Sequence, residues 1–96
     1  MGLLPDNDNY LVTAVDFKDG NIYVTLANGV IIGNPLYWFE WLEKATLEQR
    51  ANAEFAVLDV YFPDLDDGLD VESMLKGESI TWAKIRKAEA EKQAGD

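Results

Sequence analysis

Between Tyr10 and Ile32 apolar residues recur at every second position, the period of a half-buried strand rather than of a helix. Leu11, Thr13, Val15 and Phe17 form one set, and Val12, Ala14 and Asp16 the other. Asp19-Gly20 interrupts the alternation between Lys18 and Asn21, and these residues tolerate the positive dihedrals of a type I′ hairpin turn. From Asn21 to Ala27 the alternation resumes, with Ile22, Val24 and Leu26 on one face and Tyr23, Thr25 and Ala27 on the other. A second hairpin signal, Asn28-Gly29, leads into Val30-Ile31-Ile32. If both turns hold two residues, Phe17 lies opposite Ile22, Val15 opposite Val24, and Leu26 opposite Ile31. Opposite partners share a face, so Val15, Phe17, Ile22, Val24, Leu26 and Ile31 form an apolar side that needs a cover.

The period then lengthens. Asn34 suits a helix N-cap and Pro35 the first helical position, where a missing N–H costs nothing. A helix from Pro35 to about Lys44 would bury Leu36, Phe39 and Leu42, with Trp38, Trp41 and Ala45 widening the stripe. Thr46-Leu47-Glu48-Gln49 has the form of a capping box and opens a second helix, or a bent continuation, to about Ala53. The β-formers from Phe55 to Phe62, ended by Pro63, predict a fourth strand returning to the same sheet. Asp64 to Asp70 reads as an acidic turn, and Asp70 as the cap of a short helix, Val71 to Lys76, with Gly77 just past its end. Ser79 to Ala94 is rich in Ala, Lys and Glu and offers Ile80, Trp82, Ala83 and Ile85 for docking, a helix near Trp82 that frays beyond Ala88. The expected organisation is a flexible leader at residues 1–9, one domain at 10–77 and a helical tail at 78–96. The fold class is α+β, a small, mostly antiparallel four-stranded sheet covered on one face by helices.

Composition narrows the chemistry. The 96 residues include 48% apolar and 11% aromatic side chains, enough for a real core. They include neither cysteine nor histidine. That excludes disulfides, thiolate and Ser-His nucleophiles, and histidine- or cysteine-ligated metals. With 18 acidic and 8 basic residues the formal charge is −10. The acidity is localised: residues 1–80 carry 15 acidic and 4 basic side chains, residues 81–96 carry 3 and 4. A surface of this sign repels phosphates, so direct nucleic-acid binding is not expected. No apolar run approaches the roughly 20 residues of a membrane span, and Met1 to Asp8 lack a basic, apolar leader, so the expected location is cytoplasmic.

The order of these signals resembles the bacterial domain-of-unknown-function 2442 family. Val15-Asp16-Phe17 with Asp19-Gly20, Val24-Thr25-Leu26-Ala27-Asn28-Gly29, Pro35-Leu36, Trp38-Phe39 and Leu42 carry the first part. Ala45-Thr46 with Glu48-Gln49-Arg50, Pro63-Asp64-Leu65-Asp66, Leu69-Asp70-Val71-Glu72 and Leu75-Lys76-Gly77 carry the second. This chain has Tyr61-Phe62 where the family usually has His-Trp, and Asp66-Asp67-Gly68 where it usually has a further acidic cluster. The resemblance implies a small α+β domain without an assigned activity. It also implies an antitoxin-like partnership with a small neighbouring protein; the helix-turn-helix of longer members does not fit within residues 78–96.

Two surfaces stand out as candidates for partner binding. Tyr37, Trp38 and Trp41 exceed what one buried helical stripe can hide, which leaves aromatic surface for a protein partner or a second copy. Asp64, Asp66, Asp67, Asp70 and Glu72 form an acidic rim. As a calcium loop the rim fails, because Gly68 falls one position early counted from Asp64 and the twelfth position is Leu75. Turn and cap duties explain much of it. No metal, cofactor or catalytic residue is expected, and the chain reads as a non-catalytic interaction module with a protein partner, basic in the case the charge favours. The alternatives are an acidic nucleic-acid mimic that inhibits a nucleic-acid-binding machine, as a viral anti-defence or anti-CRISPR protein would, and an antitoxin-like partner of a small toxin.

Overall fold

A computed structural model of the chain describes residues 9–78. The expected leader and helical tail lie, apart from Asn9 and Glu78, outside the described residues. Strands β1 (Val12–Lys18), β2 (Asn21–Leu26) and β3 (Ile31–Pro35) form an antiparallel meander in the order β1-β2-β3. Its first hairpin has the expected register, with Phe17 opposite Ile22 and Val15 opposite Val24 around Asp19 and Gly20, both at positive φ. The second turn departs from expectation. Leu26 N–H donates to Val30 O and Gly29 N–H to Leu26 O, each at 2.9 Å, which closes a three-residue loop with Gly29 at φ 92°. The extra loop residue shifts the register, so Ile31 pairs with Thr25 rather than Leu26, and Ile32 pairs with Val24. Ile32 is therefore buried and Ile31 is 62% exposed, the reverse of the sequence reading. A bulge between Val12 and Ala14 likewise turns Val12 into the core.

The expected single helix after β3 is two short pieces, a 3₁₀ turn at Leu36–Trp38 and α1 (Glu40–Glu43), separated by Phe39 at φ −120° and ψ 76°. Leu36, Phe39 and Leu42 nonetheless point inward as the spacing requires. Asn34 is not the N-cap. It is buried in β3, and its Nδ2 donates to Met74 O at 3.3 Å, tying the meander to the last helix. Helix α2 (Leu47–Ala51) opens with the predicted capping box: Gln49 N–H donates to Thr46 Oγ1 at 3.1 Å and Thr46 N–H to Gln49 Oε1 at 2.9 Å.

The run from Phe55 to Phe62 is not one strand of a four-stranded sheet. It breaks at Leu58, which takes the left-handed conformation at φ 51°, and becomes a hairpin of β4 (Glu54–Ala56) and β5 (Asp59–Phe62). After a 3₁₀ turn at Pro63–Leu65, β6 (Asp67–Asp70) pairs with β5, giving a second three-stranded sheet in the order β4-β5-β6. The two sheets meet where Leu11 pairs with Val57. There Leu58 N–H donates to Tyr10 O at 3.0 Å and Leu58 O accepts from Val71 N–H at 3.2 Å. Helix α3 (Val71–Leu75) follows β6 directly and packs against β3. One core results, in which Ile22, Val24 and Ile32 of the first sheet meet Val60, Phe62 and Leu69 of the second, with Phe39, Leu42, Val71 and Met74 between them. No helix among the described residues is long and apolar enough to cross a membrane.

Candidate functional site

The break at Phe39 decides how the three aromatics of the first candidate surface are presented. Phe39 itself is buried, which leaves Trp38 and Trp41 flanking the core in half-buried positions and turns Tyr37 outward, 69% exposed. Trp41 meets Phe62 edge to face, with ring centroids 5.8 Å apart at 69°. Its buried indole N–H has no hydrogen-bond partner among the described residues. Packing thus accounts for most of both tryptophans, and Tyr37 is the aromatic that projects into solvent.

In the acidic segment, side chains divide between internal bonds and the surface. Asp64 is exposed and accepts from Asn52 Nδ2 at 3.2 Å. Asp66 holds the left-handed conformation that ends the 3₁₀ turn, and accepts the Tyr61 hydroxyl at 2.9 Å. Asp67 is only 7% exposed; its Oδ1 accepts the Gly68 N–H at 2.8 Å. Asp70 occupies the N-cap position of α3, but its carboxylate takes the Ser73 hydroxyl at 2.6 Å instead of a backbone N–H. Glu72 is exposed on the first turn of α3. These carboxylates belong to successive pieces of turn, strand and helix, and among the described residues no cluster of acidic side chains is arranged to hold a metal. The two candidate surfaces are linked at one point: Trp41 packs on Phe62, the residue immediately before the acidic turn.

Three further features were not read from the sequence. Arg50 Nε donates to Leu42 O at 3.0 Å and its Nη2 to Glu43 O at 2.8 Å, satisfying carbonyls at the end of α1 while the guanidinium lies 4.9 Å over the Phe17 ring. On the exposed side of α1, Lys44 Nζ donates to Glu40 Oε1 at 2.7 Å. That hydrogen bond, helped by the opposite charge, holds the Glu40 carboxyl below its ordinary range and the Lys44 ammonium above its own. The (i, i+4) spacing was the available signal for this pair. The third is a groove of about 250 Å³ between the β2–β3 loop and α3, lined by Tyr10, Val30, Ile32, Leu58, Val71 and Leu75, among others, and almost wholly apolar. Only the folded chain assembles it, since its lining residues are drawn from segments that run from Tyr10 to Leu75 in sequence.

No curated protein and no solved structure matches the chain. Residues 12–79 match the model of a family described as protein of unknown function (DUF2442), a span that takes in every strand and helix described above, and the chain belongs to that family.

Proposed function

We propose that the chain is a non-catalytic interaction module that binds, in the cytoplasm, a protein partner with a basic surface. The observation that carries this reading is the exposure of Tyr37 in a domain whose surface is acidic: Asp16, Asp19, Glu54, Asp64, Asp66 and Glu72 all face solvent. Tyrosine supplies contact area at low entropic cost, and exposed carboxylates steer a basic partner toward it. Asp67 and Asp70, engaged within the fold, contribute charge and local order rather than direct contacts.

The test is binding of the partner, captured with the full chain and then purified. Tyr37→Ala weakens binding by about tenfold if the side chain anchors the interface. An affinity unchanged by Tyr37→Ala overturns this surface. The same exposed carboxylates favour a second reading, an acidic mimic that occupies the nucleic-acid site of its partner. That reading requires steep weakening with salt and competition by DNA or RNA. Binding that is insensitive to both removes it and leaves the plain interaction module.

A further inference from the structure

Helix α3 ends in a way that turns the chain back on itself. Gly77 N–H donates to Met74 O at 3.1 Å and Glu78 N–H to Ser73 O at 2.8 Å, with Gly77 at φ 79°. This is the Schellman arrangement, which ends the helix and turns the chain at Gly77, so that Glu78, the last described residue, stays hydrogen-bonded to the final turn of α3. The chain thus leaves α3 three residues after Leu75, which lines the apolar groove together with Val71 and Glu72. Leu75 is 66% exposed there, and Tyr10 and Val30 across the groove are exposed as well.

The sequence beyond Glu78 carries what such a groove lacks. Ile80, Trp82 and Ile85 are apolar, and Lys84, Arg86 and Lys87 add positive charge to a chain whose first 80 residues are strongly acidic. Trp82 lies four positions beyond Glu78, a reach of up to about 14 Å. A tether this short holds the segment at an effective concentration on the order of millimolar, which an unlinked partner rarely matches. We propose that the groove between the β2–β3 loop and α3 is the seat of this chain's own Ile80–Ile85 segment, with Trp82 as its apolar anchor. The proposal is independent of the partner surface at Tyr37.

The test uses the full chain. Trp82→Ala is expected to shift the methyl NMR signals of Val30, Leu58 and Leu75, which face the groove, and to leave those of Val15 in place. Leu75→Glu alters an already exposed side chain, so the domain keeps its fold, and it is expected to speed tryptic cleavage after Lys84, Arg86 and Lys87 by about fivefold, as protection by the groove is lost. Groove methyls that do not move in Trp82→Ala overturn the proposal, as does cleavage at an unchanged rate in Leu75→Glu. A doubled mass in light scattering, with groove shifts that fade on dilution, also overturns it, by assigning the groove to a second copy.

Discussion

The two sheets each have three antiparallel strands, yet they are specified in different ways. The first is a meander whose strands alternate in the sequence and whose turns carry Asp-Gly and Asn-Gly, so neighbouring residues largely dictate its pairing. The second is assembled from an apolar run that breaks at Leu58 and from an acidic stretch that alone suggests only a turn. Its place depends on bonds from elsewhere: Tyr10 and Val71 to the backbone of Leu58, and Asn52 to Asp64. Local turn chemistry can encode a hairpin, whereas a strand of four residues gains its identity from the surface that buries it. Leu69, fully buried between Gly68 and Asp70, is the clearest case.

The largest test of this contrast is at the shared core. Phe62→Ala in β5 is expected to cost about 3–5 kcal/mol in chemical denaturation, and Ile22→Ala in β2 about 2–5 kcal/mol, in one cooperative transition. Two separated transitions would show that the sheets fold as independent units. Next comes Arg50→Met, which removes the guanidinium donors to the Leu42 and Glu43 carbonyls, Leu42 O keeping the Ala45 N–H at 3.2 Å, and is expected to cost about 1–3 kcal/mol. A thermal midpoint unchanged by that substitution would mean that water replaces the guanidinium at no cost.

Smaller effects separate turn chemistry from packing within the first sheet. Gly20→Ala meets nothing within 4 Å, so its expected cost of about 1–2 kcal/mol is that of φ 80° alone. At Gly33 an added Cβ would lie 2.8 Å from the Tyr23 ring, so the penalty of Gly33→Ala is steric and should fall in the presence of Tyr23→Ala. A double-mutant cycle showing no coupling there would refute the ring-over-glycine account. Least in magnitude is the Glu40–Lys44 pair, which is exposed and screened. The Glu40 carboxyl is lowered by its hydrogen bond to Lys44, so its small stabilising effect is present above the ordinary carboxylate range and fades as pH falls through the lowered value. The raised Lys44 gives the opposite limit, with its effect lost as pH rises through the raised ammonium value. An NMR titration of Glu40 should return to its ordinary midpoint in Lys44→Met.

By itself the sequence determined the first hairpin and its register, the inward set Leu36, Phe39 and Leu42, the capping box at Thr46 and the short helix stopped at Gly77. Each of these rests on interactions among residues close along the chain, whose geometry turn and cap residues dictate. It also marked the aromatic and acidic segments, but not which of their members face solvent. Tertiary structure decided that Trp38 and Trp41 pack while Tyr37 projects, and that Asp67 is buried while Asp64 is exposed. It also turned the expected fourth strand into a second sheet, made Asn34 a bridge to Met74 rather than a cap, and opened the apolar groove beside α3. Those outcomes depend on surfaces brought together from distant parts of the chain, where burial and long-range hydrogen bonds outweigh local preference. The formal charge of −10 divides accordingly: part of it serves the turns and the helix start of the acidic segment, and other carboxylates, such as Asp16, Asp19, Glu54 and Glu72, face solvent.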